Sequence, residues 1–173
     1  LPIGQGLSMT TLQMAGIYQT IANDGVRVPP RIVAETVGPD GQSTKVERPE
    51  GERVVSEQTA RTVRDMFRGV TQSGGTGPQA AVAGYQISGK TGTAQQIDPG
   101  CSCYSNSRYW ITFSGILPAD DPRYVIAIML DAPSRGVLGA SAAPLFHDIA
   151  SWLINRDNIP PSAPAEDVVL QAR

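Results

Sequence analysis

The sequence has 173 residues, of which 40% are hydrophobic and 17% are charged, and its formal net charge is −2. These values are typical of one globular domain with a buried core. The near-neutral charge argues against a broad nucleic-acid surface, and no apolar run reaches the roughly 18 residues that a membrane span requires. The chain begins at Leu1 without an initiator methionine, so we expect it to be a fragment or a processed product of a larger protein.

The first predicted helix covers residues 10–24. Thr10 followed by Gln13 has the pattern of a capping box at its start, and Asn23-Asp24-Gly25 ends it. Its apolar stripe, at helical spacing, comprises Met14, Ile17, Tyr18 and Ile21. This periodicity predicts a scaffold helix that packs on a core.

A small peripheral hairpin is predicted next, from residues 31–37 and 43–48. These segments flank Gly38-Pro39-Asp40-Gly41, where proline and glycine suit a type I turn. The second helix covers residues 57–72, with Ser56 as its N-cap. Its predicted buried stripe comprises Val63, Met66, Phe67 and Val70. Its other side carries three arginines, which we interpret as a solvated face rather than an anion-binding surface: Arg61, Arg64 and Arg68.

Two strands and a third helix are predicted in the second half of the chain. Residues 108–117 alternate between apolar and polar side chains, and residues 124–131 are almost continuously apolar, as in a strand covered on both faces. The short turn between them predicts antiparallel pairing. A helix at residues 143–155 is predicted to pack through one apolar side, formed by Leu145, Ile149, Trp152 and Leu153.

The two cysteines, Cys101 and Cys103, lie in a predicted loop at residues 97–107 and are separated only by Ser102. They could be two thiols without a special role, an oxidised pair, or ligands of a metal. The sequence contains a single histidine, His147, which leaves too few partners for the usual four-ligand zinc site. We interpret His147 as an ordinary structural or surface residue, and we expect no metal or other cofactor.

Residues 84–96, GYQISGKTGTAQQ, are the most informative stretch, and they contain Lys90, one of only two lysines in the chain. Residues 84–91 satisfy the phosphate-loop pattern GxxxxGK[ST], so nucleotide binding is one alternative. A phosphate loop requires a helix that begins at its Lys-Thr pair. Gly92 follows at once here, and the large β-favouring residues inside the loop predict an extended strand over residues 85–96 instead.

A strand over this stretch has a chemistry of its own. Lys90 and Gly92 would point to one face, and Thr91 and Thr93 to the other. The free backbone groups of an edge strand can bind an extended peptide, and small residues allow it to approach closely. The lysine would supply a positive charge for a carboxylate or a proton network, and the Thr93 amide could donate to a developing oxyanion. On the motif alone, an ordinary strand with an incidental lysine is the alternative.

The stretch SGKTGTAQ at residues 88–95 resembles the KTGT motif of the penicillin-binding proteins, which belong with the serine β-lactamases. Further segments resemble this family in the same order along the chain: residues 4–25, 73–77, 108–131 and 141–149. The resemblance extends to about Asn155. Within the family it is similar to the class B, monofunctional transpeptidases of cell division or elongation.

The resemblance implies an α/β (α+β) fold of the β-lactamase/transpeptidase type, in which helices flank an antiparallel sheet. Residues 1–157 would form the C-terminal half of that domain, and residues 158–173, rich in proline and alanine, a flexible tail. The implied activity is that of a D,D-transpeptidase, which cross-links peptidoglycan stem peptides through a serine acyl-enzyme. β-Lactams would acylate the same serine.

The resemblance also implies a role for each residue of the motif. Lys90 would join the proton and charge network around the nucleophile, and Gly92 would let the strand lie close to the ligand. The hydroxyls of Thr91 and Thr93 would bind the carboxylate of the substrate or drug. The Thr93 amide would complete the oxyanion hole.

The sequence departs from the family pattern in what it lacks. The nucleophile motif SxxK would need serine where the chain has Gln42 or Ile87, and no SxN occurs. Tyr104-Ser105-Asn106 fits a YxN variant of the second motif but follows the KTGT motif, the reverse of the family order, and we interpret it as a coincidence. We therefore expect the nucleophile-bearing N-terminal half of the same domain as a partner, without which the chain would not acylate.

Further partners implied by the resemblance are peptidoglycan stem peptides, β-lactams and other cell-wall synthesis or division proteins, but not nucleic acid. The implied location is the extracytoplasmic face of the cell membrane, with an N-terminal anchor outside this chain. A noncatalytic penicillin-binding sensor with the same fold is the main alternative function, and nucleotide binding is a second one.

Overall fold

The structure is a computed structural model that describes residues 7–131 and 142–162. In this part of the chain the helices are α1 (Thr11–Ala22), α2 (Glu57–Arg68) and α3 (Ala142–Asp157). The strands are β1 (Val26–Arg27), β2 (Glu35–Val37), β3 (Ser43–Lys45), β4 (Glu52–Arg53), β5 (Ser88–Asp98), β6 (Cys103–Leu117) and β7 (Tyr124–Asp131). None of the helices described here is both long enough and apolar enough to cross a membrane.

The largest sheet has the strand order β5-β6-β7, and both pairs are antiparallel. Lys90 lies opposite Ser114 and Thr93 opposite Ile111, which fixes the register of the KTGT segment. β5 is therefore an edge of this sheet in the described part of the chain. The strands predicted at residues 85–96, 108–117 and 124–131 are confirmed as β5, β6 and β7. β7, predicted to be covered on both faces, nevertheless leaves Met129 45% exposed.

The predicted loop at residues 97–107 is wrong, because β5 and β6 extend through most of it as one long hairpin. β5 ends at Asp98 and β6 begins at Cys103. A β-bulge between Gln95 and Ile97 shifts the register near the base of the hairpin tip. Pro99 and Gly100, which favour a loop, lie in the turn between the two strands. Asn106 and the serines on either side of it lie in β6, because a solvent-facing antiparallel hairpin accepts polar residues.

Cys101 and Cys103 form a disulfide bond at the tip of this hairpin. Of the three alternatives for these cysteines, the structure therefore contains the oxidised pair. Asp98 Oδ1 accepts a hydrogen bond from the Gly100 amide at 2.8 Å, and the Asp98 carbonyl oxygen accepts one from the Ser102 amide at 2.8 Å. No group of three or more His, Cys, Asp or Glu side chains within the described ranges could hold a metal ion.

The core lies between α3 and one face of the sheet. Ile111, Phe113 and Leu117 of β6 share this face, in agreement with the predicted alternation, and they are fully buried. The Phe113 ring packs against Phe146 of α3, with ring centroids 4.9 Å apart. A Cβ on Gly115 would lie only 2.7 Å from the Phe146 ring, so glycine at this position lets α3 approach the sheet closely.

α3 buries a different side from the one predicted. Leu145 is 42% exposed and Trp152 is 58% exposed, Ile149 is half-buried, and only Leu153 of the predicted stripe is buried. The buried residues of the helix are Ala142, Ala143, Phe146, Ala150, Leu153 and Ile154. Small alanines bring the helix backbone close to the sheet, and a search for large apolar residues does not detect this kind of packing.

α1 and α2 pack on the other face, α1 against β6 and β7 and α2 against β5. The capping box of Thr10 and Gln13 and the N-cap at Ser56 are both present, as predicted. Tyr18 of α1 stacks on Phe67 of α2 with ring centroids 5.7 Å apart. Burial in this contact raises the pKa of Tyr18 to about 12.

The predicted stripes of these two helices are only partly buried. Ile17 of α1 is 46% exposed and Met66 of α2 is 59% exposed. The interpretation of the arginine side of α2 as a solvated face is wrong for Arg64, which is only 9% exposed. Arg64 is buried because Asp24 and the last carbonyl groups of α1 supply it with hydrogen-bond acceptors.

The predicted peripheral hairpin is present as the β2–β3 pair, and its strand residues are exposed. The flexible tail predicted at residues 158–173 is wrong for its first part, residues 158–162. Ile159 is 9% exposed and belongs to the core, and Tyr85 Oη donates to its carbonyl oxygen at 2.7 Å. The rest of that prediction, residues 163–173, lies outside the described residues.

Candidate functional site

The KTGT segment lies within β5, at the edge of the sheet. The pairing with β6 and the alternation of a strand place Lys90 and Gly92 on one face and Thr91 and Thr93 on the other, as predicted. Lys90 is exposed, and its Nζ donates to the Thr91 carbonyl oxygen at 2.9 Å. Within the described part of the chain no carboxylate pairs with this lysine, so its charge is available to a ligand.

The backbone groups of alternate β5 residues point away from β6. The Gln86 carbonyl oxygen accepts from the Ala119 amide at 2.7 Å on the β6 side, whereas the Ile87 carbonyl oxygen accepts from Thr71 Oγ1 at 3.1 Å on the outer side. The N–H and C=O groups of one strand residue point to the same side of the strand, and this side alternates from residue to residue. The backbone groups of the odd-numbered residues up to Thr93 therefore point away from β6. The Thr93 N–H therefore lies on the free edge, where it can donate to an oxyanion.

Two glycines of β5 make room for neighbours inside the protein. A Cβ on Gly89 would lie 2.7 Å from the ring of Phe113, which is fully buried. A Cβ on Gly92 would lie 2.3 Å from Thr112 Oγ1 on the paired strand. The resemblance gives Gly92 a role in close approach of a ligand, and the structure adds that the same glycine accommodates Thr112.

Two hydroxyl groups attach the start of β5 to α2 and the segment after it, and sequence reasoning missed both. Ser88 Oγ donates to the Arg64 carbonyl oxygen at 2.6 Å, and Thr71 Oγ1 donates to the Ile87 carbonyl oxygen at 3.1 Å. Ser88 is fully buried and Thr71 is 9% exposed. The only signal in the sequence was a serine two positions before the lysine of the motif, and it does not identify the partner.

Arg64 also connects α2 to the C-terminal end of α1. Its Nη1 donates to Asp24 Oδ1 at 3.1 Å and to the carbonyl oxygens of Ile21 and Ala22 at 3.4 and 3.2 Å. A cation here also interacts favourably with the negative end of the helix dipole. Burial raises the pKa of Asp24, but the hydrogen bond from Arg61 and the charge of Arg64 outweigh it, so the net pKa is below the ordinary value.

The YxN match Tyr104-Ser105-Asn106 lies at the far end of the hairpin, where it pairs with β5 beyond the bulge. Ser105 is 5% exposed, and its Oγ accepts from the amides of Ser107 and Arg108 at 3.2 and 3.1 Å. The serine hydroxyl therefore stabilises the local backbone. This placement agrees with the interpretation of the match as a coincidence.

The structure contradicts the nucleotide-binding alternative. A phosphate loop requires a helix that begins at the Lys-Thr pair, so that its N-terminal amides face the phosphates. Lys90 and Thr91 instead lie inside a strand of 11 residues. The pattern match in residues 84–91 is therefore a false positive.

His147 of α3 contacts the backbone of a neighbouring segment. Its Nδ1 lies 2.7 Å from the Ala81 carbonyl oxygen, just after a 3-10 turn at Pro78–Ala80. This contact ties α3 to the segment that leads into β5. The interpretation of His147 as a structural residue agrees with this geometry.

Residues 1–151 match the family model of the penicillin binding protein transpeptidase domain. The chain is 66% identical to penicillin-binding protein PbpB of Mycolicibacterium smegmatis, and the match covers 99% of this chain and 28% of that protein. It is 37% identical to peptidoglycan D,D-transpeptidase FtsI of Escherichia coli, over 92% of this chain and 26% of that protein.

A solved structure of penicillin binding protein 3 from Mycobacterium tuberculosis, complexed with ampicillin, matches with a TM-score of 0.90 and 63% identity. That match covers 100% of this chain and 40% of the other. This chain thus spans well under half the length of these relatives. The helices and antiparallel sheet have the predicted β-lactamase/transpeptidase-like fold, and the chain belongs to the penicillin-binding protein transpeptidase domain family.

Proposed function

We propose that this chain forms the C-terminal part of the transpeptidase domain of a peptidoglycan D,D-transpeptidase. The enzyme cross-links stem peptides through a serine acyl-enzyme, and β-lactams acylate the same serine. The observation that carries the proposal is the free edge of β5, where Lys90 is exposed and the Thr93 N–H points outward. Family membership supports it, as do the relatives named PbpB and FtsI.

The edge of β5 holds the acyl donor in our proposal. An extended stem peptide lies along the free backbone groups as an added strand. The Thr93 N–H donates to the carbonyl oxygen that becomes negative when the serine attacks, and this stabilises the tetrahedral intermediate. The hydroxyls of Thr91 and Thr93 bind the carboxylate of the donor or drug. Gly92, on the opposite face with Lys90, adds no side chain that would keep the strand away from the ligand.

Lys90 serves the nucleophile in this proposal. A fixed positive charge near the serine stabilises negative charge that develops during proton transfer. The exposed ammonium group has no carboxylate partner in the described part of the chain, so it can turn from the Thr91 carbonyl oxygen to a new partner. Its contribution is electrostatic and depends on the strand that holds it.

The serine itself comes from another part of the protein in our proposal, because no Ser-x-x-Lys sequence occurs in the 173 residues. The relatives are more than twice as long as the match, which leaves room for a nucleophile-bearing segment. We further propose that the enzyme acts at the extracytoplasmic face of the membrane, with an anchor outside this chain, and that it works with other cell-wall synthesis or division proteins.

Covalent labelling with a fluorescent penicillin tests the proposal. The full-length protein and residues 1–173 alone are incubated with the reagent and separated under denaturing conditions. We expect the full-length protein to be labelled and residues 1–173 to remain unlabelled. An unlabelled full-length protein contradicts the proposal. Turnover of a stem-peptide acyl donor by the full-length protein distinguishes a transpeptidase from a noncatalytic penicillin sensor.

A further inference from the structure

The loop between α2 and the 3-10 turn touches Thr91 of the KTGT segment. Thr76 Oγ1 and Thr91 Oγ1 are 3.0 Å apart, a distance typical of a hydrogen bond between hydroxyls. A Cβ on Gly77 would lie 3.1 Å from Thr91 Cγ2, so the methyl group of Thr91 packs beside the Gly77 backbone. The two contacts together select one rotamer of a β-branched side chain, with its hydroxyl directed at Thr76.

The loop that carries Thr76 is held on both sides. The Gly77 amide donates to the Val70 carbonyl oxygen at 2.9 Å, and the Gly75 amide donates to the Gln72 carbonyl oxygen at 2.9 Å. A Cβ on Gly75 would lie 2.3 Å from the Val70 carbonyl oxygen, so only glycine permits this tight turn. Thr76 therefore has a backbone position that is fixed relative to β5.

A hydroxyl group has one proton to donate and two lone pairs that accept. If Thr76 donates to Thr91 Oγ1, the Thr91 proton remains free for a second acceptor, and the first hydrogen bond polarises the second. Both hydroxyls are reachable from solvent, because Thr76 is exposed and Thr91 is half-buried. A carboxylate at the edge of β5 would be such an acceptor.

We propose that Thr76 is a positioning residue, whose hydroxyl donates to Thr91 Oγ1 and thereby directs the Thr91 proton to the carboxylate of the acyl donor or β-lactam. The inference rests on the proposed function and deepens it. It makes the carboxylate preference of the site depend on a residue outside the KTGT motif. If the contact only ties the loop to the strand, its loss would affect charged and neutral ligands alike.

The test compares Thr76→Val, which keeps the shape but removes the hydroxyl, with Thr76→Ser, which keeps the hydroxyl, in the full-length protein. The second-order rate constant of acylation is measured for a penicillin and for its methyl ester. We expect Thr76→Val to slow acylation by the free penicillin about 3- to 10-fold, as loss of one hydrogen bond predicts, and to change the rate with the ester less than about 2-fold. Thr76→Ser should restore the rate with the free acid.

Thr44→Val is the matched control, because Thr44 lies in the exposed β2–β3 hairpin. It should leave both rate constants unchanged. Equal loss with acid and ester, no loss with the acid, or a Thr76→Ser protein as slow as Thr76→Val overturns the inference while the proposed function stands. If the wild-type full-length protein is not acylated at all, the proposed function fails and the inference fails with it. Should Thr76→Val not fold, Thr76→Ala against Thr76→Ser gives the same comparison.

Discussion

Gly89 separates the buried start of β5 from the exposed Lys90. A Cβ there would meet the Phe113 ring at 2.7 Å and the Ser114 carbonyl oxygen at 3.1 Å. The Phe113 ring cannot move aside easily, since it is fully buried and packs against Phe146 of α3. The position of Lys90 at the sheet edge therefore depends on the absence of a side chain one residue before it.

We expect Gly89→Ala to lower the free energy of unfolding by about 1–3 kcal/mol, because overpacking a rigid core costs that much. Gly16→Ala is the matched control. Nothing lies within 4 Å of a Cβ at Gly16, and alanine favours the interior of α1. Urea unfolding of both full-length variants measures the difference. A Gly89→Ala protein as stable as the wild type would contradict the packing account.

Among single residues, the sequence predicted those that belong to a recognisable motif and missed those whose role depends on a distant partner. Lys90 and Thr91 were identified by a motif, and both lie in the edge strand β5. Ser88, Thr71 and Arg64 were missed, because their roles depend on partners 24, 16 and 40 positions away. A hydroxyl or guanidinium in a sequence does not show which distant carbonyl or carboxylate will receive its hydrogen bond.

The contact between α1 and α2 combines a ring stack with a partly buried ion pair. Asp24, just beyond α1, receives hydrogen bonds from Arg61 at 3.2 Å and from Arg64 at 3.1 Å. Asp24 has a φ of 48°, in the left-handed region that asparagine also tolerates. Asp24→Asn therefore removes the charge with little change to the backbone.

We expect Asp24→Asn to destabilise the protein by about 1–2 kcal/mol at pH 7, between the values for exposed and buried pairs. The folded protein has a lowered pKa at Asp24, so this stabilisation is present above the ordinary pKa of an aspartate, about 4. This stabilisation is lost as the pH falls through the lowered pKa of Asp24, so the difference in free energy of unfolding between variant and wild type should disappear there. Urea unfolding at several pH values measures the gap.

Asp65→Asn is the surface control for that series. Asp65 lies 3.6 Å from Arg68 and is 51% exposed, so its loss should change stability by less than about 0.5 kcal/mol. A gap between Asp24→Asn and wild type that stays constant from pH 7 to well below pH 4 would show that the ion pair does not contribute in the way described.

The segment after α3 is part of the packed structure. Ile159 is buried, the Ser162 amide donates to the Gly84 carbonyl oxygen at 2.9 Å, and Ser162 Oγ accepts from the Gln86 amide at 2.9 Å. We expect Ile159→Ala to cost about 2–4 kcal/mol, as for other buried isoleucines, whereas Val37→Ala, at a site 66% exposed, should cost little. Thermal unfolding of the two variants checks this, and equal melting temperatures would contradict it.

For the helices and strands, the type of each element could be predicted more reliably than the side that it buries. Caps and periodicity predicted the three helices, and alternation predicted the strands. The prediction of the buried side of α3 was wrong because small residues, the alanines of α3 and Gly115 of β6, form the contact with the sheet. A pattern of large apolar side chains does not reveal such a contact. The prediction of a loop at residues 97–107 was wrong because the amino-acid composition of an exposed strand differs less from that of a loop than the composition of a buried strand does.

At the scale of the whole molecule, large apolar side chains remain exposed on both outer faces of the described part. They include Leu12, Ile17 and Met66 of α1 and α2, Met129 of β7, and Leu145 and Trp152 of α3. Their exposure leaves apolar surface against which another segment of the protein can pack. It supports the proposal that a further segment of the protein packs against this chain and brings the nucleophile to Lys90.

The overall fold and the family could be predicted from the sequence because several segments agree with the family in the same order, and the KTGT motif lies among them. The position of the nucleophile could not, since no residue of the chain carries that information. We therefore propose that the edge of β5 acts on a serine supplied from elsewhere, and that Lys90 provides the charge which this reaction requires.

The role of Lys90 is tested by the rate constant for acylation of the full-length protein by a labelled penicillin, measured for the wild type and for Lys90→Ala. Lys45→Ala is the matched control, since Lys45 is the other lysine and lies in the exposed β2–β3 hairpin. We expect Lys90→Ala to slow acylation by at least about 100-fold, as loss of one preorganised charged group does, and Lys45→Ala to have no effect. Undiminished acylation of Lys90→Ala would contradict the account.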